Sequence, residues 1–296
     1  MKTAKVIATC LKRSRVVEKT GLVGDPLGFF HHSQNFVTME KMKNLFNFLI
    51  DLEKKSDPGC EMDLIIVNND VGEYEGNKFL ENLDNQKIFN GKIRYLCREN
   101  SGMSFGAYNE AYKKFKSEYD YFLFCEDDIS IYKKDYYTKG ISYFKNNDDC
   151  GFVAYIHSTK LDKPTRKRLN LTKKGIVSCH GAIGLSSVKV LDIIADANGN
   201  LPFNNVLGEN YLDSIVNGEI GFPLKIVNKG FKILDFPREV LIAEPTYDLM
   251  RNITVRKFPT FLEKIIYYIK YYVHSFFSLN SKILNLYYKL LKLFKN

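Results

Sequence analysis

The sequence predicts an α/β fold built on a mostly parallel sheet flanked by helices, with an amphipathic helical tail at the C-terminus. Three observations carry that expectation. Residues 1–130 alternate strand-like and helix-like segments four times, the pattern of parallel strands joined by crossover helices. Two of the strand-like runs, Asp63–Val67 and Tyr119–Cys125, are almost continuously apolar, as strands covered on both faces read. The 296 residues, 45% hydrophobic and 26% charged, are enough for an ample core and exclude wholesale disorder. Eight prolines and 19 glycines without a short repeat exclude collagen-like, propeller and solenoid arrays.

Taken in order, Lys5–Leu11 reads as a first short strand. Phe36–Lys54 places Met39, Met42, Leu45, Phe46, Leu49 and Leu52 three and four apart, an amphipathic helix. Asp63–Val67 is a strand that ends in Asn68, Asn69 and Asp70. Residues 76–85 read as helix, Lys92–Leu96 as strand, Gly106–Phe115 as helix and Tyr119–Cys125 as strand. Beyond residue 131 the pattern loosens: Phe152–Ile156 and Gly175–Cys179 are strand candidates, and Ser186–Ala195 and Glu209–Val216 helix candidates. In such sheets ligands bind outside the carboxyl ends of the strands.

Charge is unevenly spread. The net charge is +9, which favours an anionic partner. Lys163–Lys174 holds six basic residues in twelve and no acid, either a solvated loop or a patch for phosphate or anionic lipid. The tail 258–296 sets six lysines against the single acid Glu263, with Tyr267, Tyr268, Tyr271, Tyr272, Phe276, Phe277, Tyr287 and Tyr288 between them. That composition fits a helix lying on an anionic membrane surface; the other reading packs it on the body or at a homodimer interface. Lysines interrupt every apolar stretch, so no spanning helix is expected. The N-terminus lacks a secretory apolar run, and the six cysteines form neither CxxC nor a zinc spacing, so reduced thiols and a cytoplasmic setting, peripheral on the inner face of the membrane, are expected.

The chemistry-bearing element is Phe122-Leu-Phe-Cys-Glu-Asp-Asp-Ile129, an apolar strand that ends in three carboxylates. Alternate residues of an extended chain share a face, so Glu126 and Asp128 are the pair expected to hold one hard cation, Mg²⁺ or Mn²⁺. Clustered carboxylates repel one another unless a cation neutralises them. An acidic turn after a strand is also common without any such role. The preceding Arg98-Glu-Asn-Ser-Gly-Met-Ser-Phe-Gly-Ala-Tyr-Asn109 opens a helix with Gly102 and Gly106, which permit close backbone approach to an anionic or polar ligand. Neither a dinucleotide fingerprint nor a P-loop is present.

The order of these motifs resembles glycosyltransferases with the GT-A type of Rossmann-like sheet, specifically family 2: a first strand, a second ending in Val67-Asn68-Asn69-Asp70, then Asn-x-Gly-x-x-x-Gly-Ala-x-Asn, then a strand ending in a DxD-like triplet. The resemblance covers residues 4–130 well and extends loosely to about residue 245. It implies a catalytic domain over 1–257, with a nucleotide-sugar half (1–130) and an acceptor half (131–257). By the same resemblance, Thr9, Asn68, Asn69 and Asp70 line the nucleoside pocket. Asn100, Gly102, Gly106, Asn109 and Asp127 shape the donor site, and Glu126 and Asp128 bind the metal. Glu126 stands where many members have Asp, and Asn68 and Asn69 replace the more usual acids. Ser178-Cys-His-Gly-Ala-Ile-Gly-Leu-Ser186 resembles the family's Gly-Ala segment, with His180 near the diphosphate or the acceptor. Leu207-Gly-Glu-Asn-Tyr-Leu-Asp213 resembles its Glu-Asp segment, giving Glu209 as the base of an inverting transfer and Asp213 as the reserve. Gly230-Phe-Lys-Ile233 resembles its closing strand, and Glu244 stands near where a histidine is usual.

The implied substrates are a nucleotide-sugar donor, a UDP-sugar first, and a saccharide or lipid-linked saccharide acceptor of a bacterial-type surface glycan such as lipopolysaccharide or capsule. The alternatives are a nucleotidyl- or phosphotransferase on the same sheet, or a non-catalytic basic module binding nucleic acid or membrane. No RNP, KH or helix-turn-helix pattern supports nucleic acid.

Overall fold

Strand β1 (Thr3–Thr9) is buried throughout and forms the middle of an eight-stranded sheet. Its neighbours are β4 (Met62–Asn68) and β7 (Tyr121–Glu126), both parallel to it. Beyond β4 lie β6 (Gly91–Cys97), parallel, and the short antiparallel edge strand β5 (Lys87–Ile88). On the other side of β7 lie β12 (Gly184–Ser187), β9 (Cys150–Ala154) and β13 (Lys232–Asp235). Only β12 runs against its neighbours there, whereas β13 is parallel to β9. The fold is therefore mixed α/β with a mostly parallel sheet, as the sequence predicts. Two-residue strands β2 (Ser14–Arg15) and β3 (Val37–Thr38) pair off the main sheet, as do β10 (His157–Ser158) with β11 (Ser178–Cys179) and β8 (Ile129–Ile131) with β14 (Ala243–Pro245).

The computed structural model describes residues 1–11, 14–15, 37–69, 72, 74–127, 129–131, 133–155, 157–159, 177–202, 215–236 and 243–245. The chain divides into two compact units, and all of these belong to the first, Met1–Val16 with Phe36–Leu161 and Thr172–Arg251. The tail 258–296, the Lys163–Lys174 run, Asp70, Asp128, Glu209 and Asp213 lie outside the described residues. Among the described residues no helix is long and apolar enough to cross a membrane.

Helices cover both faces of the sheet. Helix α1 (Met39–Lys55) buries Met42, Leu45, Phe46 and Leu49 on one face, where Leu80 of α2 (Tyr74–Glu81) and Tyr136, Tyr137 and Ile141 of α4 (Tyr136–Asn146) join the same core. The other face is covered by α3 (Met103–Phe115), α5 (Val188–Ile194) and α6 (Phe222–Asn228), which pack Tyr108, Tyr112, Leu191, Phe222 and Ile226. A π-helical turn, Ile215–Gly221, leads into α6.

Several boundaries differ from the sequence expectation, each for a local reason. The helix expected over 76–85 stops at Glu81, and the chain turns through Asn85 at φ 62°. The helix expected from Ser186 starts at Val188, because Gly184–Ser187 is recruited between β7 and β9 and Ser187 Oγ then caps the helix at Val190 N. The closing strand begins at Lys232 rather than Gly230, which turns at φ 87° after α6. Of the helix expected at Glu209–Val216, the described end belongs to the π-helical turn.

A charged pair sits inside the first core. Lys5 on β1 and Glu53 on α1 are 1% and 3% exposed and hydrogen-bonded to each other. Glu53 continues the buried stripe of α1 by one more turn, and Tyr136 donates its hydroxyl to the other Glu53 oxygen at 3.4 Å while its ring faces the Lys5 ammonium at 5.1 Å. Breaking one side of such a pair strands a buried charge. In urea unfolding, Glu53→Leu is expected to cost about 3–5 kcal/mol, and Lys5→Met added to it to recover most of that loss. Additive losses in the double variant would contradict this reading.

Candidate functional site

Register assembles the site. Pairing sets Thr9 opposite Asn68, Ala8 opposite Glu126 and Asn68 opposite Cys97, so the carboxyl ends of β7, β1, β4 and β6 finish at one level. The ladder runs one step further, from Asn69 N to Thr9 O at 2.8 Å and from Arg98 N to Asn68 O at 2.9 Å. Thr9 Oγ1 then donates to Asp127 Oδ2 at 2.6 Å, tying β1 to the acidic end of β7. Asp127 is 4% exposed.

The two asparagines are turned inward. Asn68 is fully buried: its Oδ1 accepts from Leu11 N at 2.8 Å and its Nδ2 donates to Asn77 Oδ1 at 2.6 Å. Asn77 Oδ1 also accepts from the Tyr95 hydroxyl at 2.7 Å and the Cys97 thiol at 3.2 Å. Asn69 Oδ1 accepts from Arg98 Nη1 at 2.7 Å, while its Nδ2 donates to Met103 O at 3.0 Å. In this structure both side chains brace the strand ends and the start of α3. Burial draws the Arg98 guanidinium down from its ordinary value, against the upward pull of Glu110 and Glu99.

The opening of α3 explains its glycines. Gly102, at φ 76°, takes the left-handed turn that enters the helix, and Met103 follows at φ 52°. A Cβ on Gly106 would lie 1.9 Å from Ser101 O and 2.6 Å from Arg98 Nη1, so only glycine lets the guanidinium cross there to Asn69. Ser104 Oγ donates to Glu126 Oε1 at 2.6 Å. The amino end of α3 thus adjoins the end of β7, with a helix dipole that favours an anion. Asn100 is on the approach to this turn. Asn109 is not brought to the cluster: its Oδ1 accepts from Leu201 N at 2.8 Å, and its Nδ2 reaches Asn200.

The turn after β11 adjoins the end of β7 from the other side. His180, Gly181 and Ala182 form a tight turn between β11 and β12, with Gly181 at φ 56° and Ala182 at φ 47°. A Cβ on Gly181 would lie 3.2 Å from Glu126 Oε2, and Gly181 N donates to Glu219 Oε1 at 3.1 Å. Glu126 and Glu219 therefore flank the same glycine. His180, 61% exposed, holds Nδ1 3.9 Å from Glu219 Oε1. Met103 and Ala182 are two of four non-glycine residues at positive φ among those described, strain of the kind that concentrates at functional turns. The π-helical turn that carries Glu219 also seats Gly218 against the Phe105 ring, where a Cβ would fall 2.2 Å from ring atoms.

The strand ends at Glu126 and Asp127 is in a turn, while Asp128, the other member of the expected metal pair, lies outside the described residues. Among the described residues no three His, Cys, Asp or Glu side chains are grouped closely enough to hold a metal ion. Glu126 and Asp127 offer hard carboxylate oxygens, each already holding one hydroxyl, a chemistry that suits Mg²⁺ or Mn²⁺ rather than a soft metal. No disulfide joins any of the six cysteines, and thiol chemistry is disfavoured for three of them: burial pushes Cys125 and Cys179 up to about 12 and Cys150 to about 11. Sequence reasoning missed Arg98, Ser104, Asn77 and Glu219 as parts of the site. The first two stand inside the quoted helix-opening motif, whereas Asn77 and Glu219 belong to no motif.

No protein-family model matches the chain, and no curated protein matches it. Among solved structures it is similar to the galactosyltransferase LgtC in complex with donor and acceptor sugar analogues, at 10% identity and a TM-score of 0.38, covering 79% of this chain and 73% of that one. An active-site mutant of LgtC gives the same identity and TM-score, with 79% and 72% covered. Both likenesses are distant.

Proposed function

We propose that the chain is a glycosyltransferase of the GT-A type, family 2-like, that moves a sugar from a nucleotide-sugar donor to a saccharide acceptor. The observation that carries the reading is the meeting of Thr9, Glu126 and Asp127 with the amino end of α3 at the carboxyl edge of the sheet. The motif order supports it. A UDP-sugar is the first donor to test, with Thr9, Asp70, Asn100, Gly102, Gly106 and Asp127 around it. Asn68 and Asn69 act as braces, and Asn109 acts through the Asn200–Leu201 segment.

Glu126 with Asp128 would hold Mg²⁺ or Mn²⁺, which when bound supplies positive charge against the donor diphosphate. The amino end of α3 adds its dipole on the same side, and His180 is exposed towards solvent beside it. The transfer also needs a carboxylate to take the proton of the attacking acceptor hydroxyl, and the product is expected with inverted anomeric configuration. The sequence offers Glu209 and Asp213. The described geometry favours Glu219, which is 26% exposed, held by Gly181 N and set across Gly181 from Glu126. The second reading, a nucleotidyl- or phosphotransferase, uses the same acids and differs in product.

Incubation with UDP-sugars, Mn²⁺ and saccharide acceptors is expected to release UDP rather than pyrophosphate, with loss of turnover in EDTA and in Asp128→Ala. Glu219→Gln is expected to slow transfer about a hundredfold or more while donor binding is kept. Full activity in Glu219→Gln with a dead Glu209→Gln or Asp213→Asn would return the base to those residues. Pyrophosphate release would replace the reading by the second one, and a product of retained configuration would overturn the single displacement.

The lysine- and tyrosine-rich tail supports a second part of the proposal, that the enzyme works on a lipid-linked acceptor at the inner face of the membrane. Each lysine near an anionic surface contributes about 1 kcal/mol, and the aromatic rings suit the headgroup zone. In flotation with anionic liposomes the full chain is expected to float and a chain ending at Arg256 to stay behind. Equal behaviour of the two would reassign the tail to a subunit contact in a homodimer.

A further inference from the structure

Two of the five histidines are described, and each lies beside a carboxylate. His180 belongs to the site above. His157 does not, and nothing so far accounts for it. It sits on β10, where His157 Nδ1 lies 2.5 Å from Asp235 Oδ1, a partner 78 positions away at the last residue of β13. The pair is partly open, at 21% and 57% exposed. Its ring is fixed through one nitrogen, which leaves the other to meet a hydroxyl in a set direction.

The position of the pair gives it meaning. Asp235 pairs with Ala154 at the end of parallel strand β9, so it finishes on the same carboxyl edge as Glu126 and Asp127. From β13 to β7 is three strand spacings, about 14 Å. His157 faces Cys179 across the β10–β11 ribbon, and the chain runs two residues on from β11 to Gly181, which donates to Glu219 and where a Cβ would lie 3.2 Å from Glu126 Oε2. The carboxyl edge therefore presents His157–Asp235 at one end and the Glu126–Glu219 centre further in.

We propose that His157, oriented by Asp235, is a hydroxyl-binding subsite for a neutral saccharide lying along this edge, on the acceptor side of the reacting centre. This rests on the glycosyltransferase reading for the ligand being a saccharide, whereas an imidazole oriented to bind a hydroxyl stands without it. Asp235 is a positioning residue, acting through His157.

The test is NMR on the full chain with labelled histidine, titrated with lactose, cellobiose and chitobiose, each with and without UDP and Mn²⁺. At least one disaccharide is expected to move the His157 ring resonances with UDP absent, and Asp235→Asn to weaken that binding about tenfold, the scale of one oriented hydrogen bond. UDP alone is expected to leave the His157 ring unmoved. If none of the three sugars moves it, if Asp235→Asn binds as tightly as the parent, or if UDP alone moves it, the subsite is overturned. Failure of UDP to change thermal stability would count against the glycosyltransferase reading and leave the saccharide result to stand or fall by itself.

Discussion

Parallel register across β7, β1, β4 and β6 is the constraint on which the candidate site depends. A one-residue slip of β1 would swap the residues filling the two cores and part buried Lys5 from Glu53, so Thr9, Asn68 and Glu126 are held near one level by the same packing that holds the core. Everything polar at the site is placed relative to that edge. Thr9 reaches Asp127, Arg98 reaches Asn69, and Ser104 reaches Glu126 because the strands they follow end together.

The site separates into braces and faces. Asn68, Asn69, Asn77 and Arg98 spend their hydrogen bonds on one another and on backbone, which stiffens the edge at the cost of leaving their amides little to offer a ligand. Glu126, Glu219 and His180 are not buried and lie around Gly181. Glu126 and Asp127 adjoin at the end of β7 with Glu219 beyond Gly181, and the Arg98 guanidinium and the amino end of α3 offset only part of that negative charge. That imbalance is the physical reason a divalent cation belongs in the proposed chemistry.

Much of the first half was legible. Apolar runs such as Asp63–Val67 and Tyr119–Cys125 read as buried strands, the stripe Met42, Leu45, Phe46 and Leu49 reads as a packed helix, and the structure has them so. The glycines before α3 were readable as close-approach positions, and Gly106 shows what approaches: the Arg98 guanidinium. Less was legible after residue 131, where β12 is antiparallel and short and its last two residues, Ser186 and Ser187, read as the start of the following helix. Lys5 and Glu53 show the limit of a charge-based reading, since both are charged and both are core. Glu219 and His157 were invisible for a different reason. Their partners, Gly181 and Asp235, are 38 and 78 positions away, and no local spacing announces such a pair.

The central claim is that the nucleotide end of the donor occupies the shared edge of β1, β4 and β7 against the start of α3. Amide hydrogen exchange with UDP and Mn²⁺ measures this directly. The account predicts new protection in the segments ending at Leu11, Asn69 and Asp127 and across Gly102–Gly106, with β9 and β13 unchanged. Protection confined to β9 and β13, or none anywhere at saturating UDP, would contradict it.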